Sequence, residues 1–194
     1  MIKNYHFQSS NTKFFARPLI ASDKDLLKVG FTQLSENSKY YRFFVNRKTL
    51  NDLQLSFLTE IDGVNHIAWG IVDETNNNPV AVGRLVKIKA ENDIAEMAIT
   101  VIDSYQKMGI GRILYTILNN EAYKVGIKTF RYHVLYNNRI VLKKLNKLGI
   151  THKKIEGSLV TLETNVFNQP FTIPSNFKID DLVSRIKEVE NSIQ

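Results

Sequence analysis

The spacing of apolar positions changes along this chain, and each change marks an element. Ile110, Ile113, Leu114, Ile117, Leu118 and Val125 recur at three, four and seven, which predicts a long helix with one buried face. Just before it, Ile94, Ile99, Thr100, Val101 and Ile102 are β-branched, which predicts a strand. Two further apolar runs precede that strand, at 65–72 and 79–89, separated by the turn residues Asn76, Asn77, Asn78 and Pro79. The three strands are expected to form an antiparallel meander leading into the helix. After Gly126, residues 127–135 predict a strand parallel to the 94–102 strand, because a helix connects the two.

Flanking segments are read in the same way. The first dozen residues are polar and expected to be loosely held, with a first strand at 13–20 and Pro18 near its end. Ser22 and Asp25 open a helical stripe running through Leu26, Leu27, Val29, Phe31 and Leu34. Thr49 and Asp52 open another, in which Leu50, Leu53, Phe57 and Leu58 are expected to face one way. Asn137 and Asn138 cap a helix through Ile140, Val141, Leu142, Leu145 and Leu148, and a hairpin follows at 150–166. Pro170 to Pro174 is expected to leave the core. Ile179, Leu182, Val183, Ile186, Val189 and Ile193 then predict an amphipathic C-terminal helix, docked on its own domain or on a second copy. We read 1–166 as one domain and 167–194 as its extension, in a monomer or a homodimer.

Composition narrows the class. The 194 residues are 43% hydrophobic and 23% charged, enough to bury a sizeable core. No apolar run reaches membrane-spanning length, and the first residues lack a signal peptide's apolar block. The absence of cysteine excludes disulfides, a thiolate nucleophile and a thiolate metal site, and is compatible with a cytoplasmic protein. A net charge of +7 favours anionic partners. The basic cluster Lys143, Lys144, Lys147, Lys153 and Lys154 lacks interleaved aromatics, so nucleic-acid binding stays a minor alternative.

Candidate chemistry begins where the 94–102 strand meets the long helix. Gln106, Lys107, Met108, Gly109, Ile110 and Gly111 place two glycines at the helix entrance. Glycine lets backbone N–H groups approach a ligand, and the helix start adds partial positive charge, so an anion such as a pyrophosphate fits there. Taken alone, Gly-x-Gly is more often an ordinary tight turn. The segment has neither the Gly-Lys-Ser/Thr of a nucleotide-triphosphate loop nor the third glycine of a dinucleotide fingerprint.

The run Gln106-x-x-Gly109-x-Gly111 follows a strand carrying Ala95, Glu96, Met97 and Ala98. In that order it resembles the acetyl-CoA-binding segment of the GNAT superfamily of N-acetyltransferases. Leu34 to Phe44, which ends Tyr40-Tyr41-Arg42-Phe43-Phe44, is similar to a signature of the bacterial branch that includes protein lysine acetyltransferases. Val134 to Gly149, with Asn138, is similar to that family's second CoA-binding element.

The resemblance implies an α/β (α+β) fold with a mixed, mostly antiparallel central sheet flanked by helices. It also implies transfer of an acetyl group from acetyl-CoA to a primary amine, without a metal. Glu96 is then the candidate base, since the attacking amine must lose a proton; periodicity alone does not separate that role from a surface glutamate. The cofactor would be held by Ile99, Val101, Gln106, Lys107, Met108, Gly109, Ile110, Gly111, Arg112 and Asn138. Tyr40, Tyr41, Arg42 and Phe43 would wall the acceptor site, although four aromatics in five positions equally suit a core cluster. His66 would be a weaker candidate for relaying protons. Many members carry a tyrosine acid seven positions beyond the asparagine, where this chain has Leu145. A CoA-binding regulator with little turnover is the main alternative to an enzyme.

Overall fold

The computed structural model describes residues 4–9, 11–91, 93–167, 170–182 and 184. In chain order the elements are β1 (Tyr5–Ser9), β2 (Thr12–Pro18), α1 (Lys24–Thr32), α2 (Glu36–Phe43), α3 (Asp52–Thr59), β3 (His66–Asp73), β4 (Asn78–Lys87) and β5 (Ile94–Val101). There follow α4 (Ile110–Lys124), β6 (Thr129–Leu135), α5 (Arg139–Leu145), β7 (Ile150–Glu156), β8 (Leu159–Asn165) and β9 (Asn176–Lys178). The strands form one nine-stranded sheet in the order β7-β8-β6-β5-β4-β3-β2-β1-β9. Pairing is antiparallel except at β5–β6 and β1–β9. The meander and the parallel return through α4 follow the sequence pattern.

Helix α4 owes its position to a fully apolar inner face. Ile110, Ile113, Leu114, Ile117 and Leu118 are at most 1% exposed. They meet the face of β4 and β5 that carries Gly83, Leu85, Met97 and Ile99. Gly83 sets the separation, because a β-carbon there would lie 2.8 Å from Leu118 Cδ1 and 3.5 Å from Leu114 Cβ. Gly83→Ala is expected to destabilise the fold by about 1–3 kcal/mol, the usual cost of overpacking. An unchanged denaturation midpoint would show that Leu118 turns aside freely.

Several flanking expectations are corrected. Residues 5–9 are not loosely held: β1 pairs with both β2 and β9, and Tyr5 and Phe7 are buried. The segment after Pro170 does not leave the core. Ile173, Ile179 and Leu182 join the main cluster, and Asn120 of α4 exchanges two hydrogen bonds with the Phe171 backbone. Helix begins again at 179–182, while Val183 and the remaining apolar positions of the expected C-terminal helix lie outside the described residues. In α3 the buried residues are Leu55, Leu58 and Thr59, whereas Leu53 is 84% and Phe57 58% exposed. Ile140 of α5 is likewise exposed. In both helices the run is apolar on more sides than the neighbouring elements cover.

Candidate active site where two strands part

β5 pairs with β6 only from Ile94↔Thr129 to Glu96↔Arg131, and beyond Glu96 the two strands diverge. Ile88 N–H donates to Ile94 O, and Ile102 N–H to Val80 O, so even-numbered residues of β5 turn their main chain toward β4. The alternation turns the main-chain groups of Met97, Ile99 and Val101 toward the gap that opens beside β6. An extended arm can add there as a further strand. Ile99 is one of the residues whose main chain faces that gap. Val101 has its carbonyl occupied, because Gln106 Nε2 donates to it over 3.1 Å. Gln106 thus ties the glycine turn to the end of β5.

The turn itself is a backbone nest. Lys107 and Gly109 both have positive φ, +66° and +85°, and Gly109 is the N-cap of α4. Left-handed residues in alternation point successive N–H groups into one concavity at a helix N-terminus, which suits an anion. Gly111 has no need of glycine for its backbone. A β-carbon there would meet only Val101 Cγ2 at 3.7 Å, an ordinary contact. Met108, Ile110 and Arg112 complete the turn and the first helical residues. Asn138 caps α5, accepting from Val141 N–H at 3.3 Å, so its Oδ1 is engaged in the fold. Leu145 is buried and apolar, so no proton donor occupies that position.

One hydrogen-bonded anchor was not foreseen. Asp103, in the short 3-10 turn ahead of the nest, accepts from Ser35 N–H (2.9 Å), Ser35 Oγ (2.8 Å) and Ser38 Oγ (2.9 Å). It pins the start of α2 beside the turn. Burial opposes its charge, yet the Ser35 and Ser38 donors hold its carboxyl below the usual carboxylate range. A carboxyl lowered in the folded state stabilises above its unfolded pKa, about 3.9, and loses that contribution as pH falls through the folded value. Asp103→Asn is expected to cost roughly 1 kcal/mol at neutral pH and to flatten the acid limb of the stability curve. Chemical denaturation at pH 7 and pH 3 measures both; a parent-like slope would remove Asp103 from the acid transition.

Glu96 stands at the fork. It shares the even face of β5 with Ala98 and Thr100, which line a cavity of about 70 Å³ under α1 and α2. Its side chain is 51% exposed, so it faces solvent at the rim rather than the apolar surroundings its strand neighbours suggest. His133 of β6 places Nε2 3.4 Å from Glu96 Oε1, and its Nδ1 lies 3.2 Å from Thr161 Oγ1. Sequence reasoning missed His133, because only the parallel register sets it beside Glu96.

Arg42 and Phe43 line the cavity, as does Arg84 of β4; Tyr40 and Tyr41, half-buried on α2 with rings 6.2 Å apart, line neither it nor the adjoining recess. Phe43 also packs with Phe31, Leu34 and Ile102 in a small second core, which is the core role open to the aromatic run. His66 is turned to a different task. Its Nε2 lies 3.0 Å from Arg84 Nη1, and burial together with the Arg84 charge pushes its pKa down to about 4, against Asp62. A neutral imidazole accepting from Arg84 braces that arginine. The signal for Arg84 was present in the sequence, as a charge set between apolar neighbours within a strand run.

With this geometry in view, the relatives agree. The model of the Acetyltransferase (GNAT) family matches residues 32–150. Acetyltransferase Pat of Mycolicibacterium smegmatis is 31% identical over 153 residues, which is 79% of this chain and 46% of that protein. The chain thus spans about half the length of that curated relative. The GNAT domain of S. lividans PAT superposes with a TM-score of 0.72 at 26% identity, covering 81% of this chain and 96% of that one. A cAMP-binding acyltransferase from Mycobacterium smegmatis shares the fold, with a TM-score of 0.62 at 24% identity over 98% of this chain and 54% of that one. The chain belongs to the GNAT family of acetyltransferases.

Proposed function

We propose that this chain transfers an acetyl group from acetyl-CoA to a primary amine, with a protein lysine as acceptor and Glu96 as the base. The observation that carries the proposal is the position of Glu96 at the mouth of the gap between β5 and β6, with the Lys107–Gly109 nest at the gap's far end. From Glu96 to Val101 the strand advances about 17 Å at ~3.3 Å per residue. That length suits a carrier with phosphates at one end and a reactive group at the other. When bound, acetyl-CoA supplies the activated acyl group as a thioester.

The chain's own residues do the rest. The Met97 and Ile99 main chain orients the arm, and the nest holds the phosphates with Arg112 at the first helical turn. Glu96 takes the proton from the incoming amine, directly or through water, because an ammonium cannot attack. The amine's new C–N bond to the acyl carbon replaces the thioester C–S bond and displaces CoA as its thiolate. His133 orients the carboxylate from its far side. Holding amine and carbonyl in line supplies much of the acceleration. The half-exposed rim around Glu96 favours a long flexible acceptor such as a lysine side chain, which reaches in while its backbone stays outside.

Acetylation of lysine-containing peptides, measured beside CoA binding by calorimetry, tests the proposal. Transfer to lysine with micromolar or tighter CoA binding supports it. Tight CoA binding without transfer to any amine would favour a regulator that only senses CoA.

A further inference from the structure

The acceptor side of the sheet holds more positive charge than its fold uses. Arg84 is 4% exposed, and among the described residues both its hydrogen bonds leave from Nη1, to Leu58 O (3.3 Å) and His66 Nε2 (3.0 Å). A guanidinium carries five donors, so Nε and Nη2 are without a hydrogen-bond partner among the described residues, and Arg84 lines the cavity. Arg42 lines the same cavity, and burial is the main influence lowering its pKa. Burial and the charge of Arg42 together lower Arg84 to about 9. At Arg42, Phe43, Leu50 and Leu58 the cavity adjoins a more open recess of about 510 Å³. There Arg47 Nε is buried with no hydrogen-bond partner among the described residues. The Arg42 and Arg47 guanidinium carbons lie 5.2 and 5.3 Å from the centre of the Phe43 ring.

No carboxylate lines either space. Glu96 at the rim acts favourably on Arg42, and it is committed elsewhere if it accepts the amine proton. Crowded guanidinium groups with free donors, set in apolar walls, form a strong site for a planar anion, because Arg grips a carboxylate through two parallel hydrogen bonds. The recess is also walled by Phe57 and Leu53, exposed apolar side chains that suit the stem of an acidic residue. On the sheet, Arg84 pairs with Ala98 and Val86 with Glu96, so the arginine lies two pairs along from the base on the same face, about 7–8 Å on the diagonal.

We propose that Arg42, Arg47 and Arg84 form a carboxylate-recognition site, so that the preferred acceptor is a lysine flanked by acidic residues. This rests on the lysine acceptor proposed above and adds its sequence context. The charge of +7 agrees with an acidic partner.

The test uses two capped hexapeptides with a single lysine, flanked on both sides by glutamate in one and by glutamine in the other. Binding to the CoA-loaded protein is measured by calorimetry, and kcat/KM for acetylation separately. The acidic peptide is expected to bind at least tenfold more tightly and to show a comparable gain in kcat/KM. Arg47→Met, at the open recess, and Arg84→Met, in the cavity, should each reduce that preference severalfold while CoA affinity stays at the parent value. Arg47→Met keeps the test valid if Arg84→Met fails to fold. Equal affinity for the two peptides, or a preference that survives both substitutions, would overturn the site. Tighter binding of the acidic peptide without acetyl transfer would uphold it and overturn the proposed reaction instead.

Discussion

Glu96→Gln is expected to lower the acetylation rate by about 10²–10⁴, the usual worth of a positioned general base, while acetyl-CoA affinity stays near the parent value. The separation follows from the architecture. Glu96 is the last β5 residue paired with β6, whereas the groups proposed to hold the cofactor lie beyond it, on the open edge of β5 and in the nest. Glutamine keeps the shape and can still face His133, so the fold should be undisturbed. Raising the pH should partly rescue the variant. The free lysine amine titrates near about 10.4, and each pH unit below that value multiplies the neutral fraction about tenfold on the way up. A variant as active as the parent near neutral pH would remove Glu96 from the mechanism, leaving in-line positioning to account for the rate.

Gly111→Asp should abolish or greatly weaken acetyl-CoA binding without unfolding the protein. The structure has room for the new β-carbon, with Val101 Cγ2 3.7 Å away. A carboxylate in the first turn of α4 is also favourable to the helix, whose N-terminus carries partial positive charge. That same charge would now sit beside the proposed phosphate site. At an intermediate effective dielectric, two like charges 4 Å apart repel by about 4 kcal/mol, so a loss of about 10² or more in affinity is expected even after partial screening. Gly111→Ala separates the causes: it adds the bulk without the charge, and should bind far better than the aspartate variant. Calorimetry on both, with circular dichroism to confirm folding, makes the comparison. Unchanged affinity in a folded Gly111→Asp protein would move the phosphates away from this turn.

How much of the site was legible in the sequence depended on whether the determining interactions were local. The α4 stripe, the β-branched strand ahead of it and the glycine turn between them follow from short-range sterics and periodicity, and each lies where the pattern puts it. Even there, tertiary structure divided the labour. The left-handed backbone falls on Lys107 and Gly109, while Gly111 keeps an ordinary helical backbone, because the cap of α4 sets which residue must turn.

Non-local pairing decided the rest. Periodicity tells which residues share a face and not what will cover it. Leu53 and Phe57 therefore read as core and came out exposed beside the arginine recess. Tyr5 and Phe7 sit in a short run of otherwise polar residues, and it is pairing with β2 and β9, from opposite ends of the chain, that buries them. His133 meets Glu96 through the parallel register of β5 and β6, Arg84 meets Arg42 across a cavity roofed by α1 and α2, and Asp103 meets Ser35 and Ser38 from 65 or more residues away. The sequence by itself determined the helix, the strand and the glycine turn, because those depend on neighbours in the chain. Only the folded sheet decided which charges converge on Glu96, because strand register and helix covering are properties of the assembled layers.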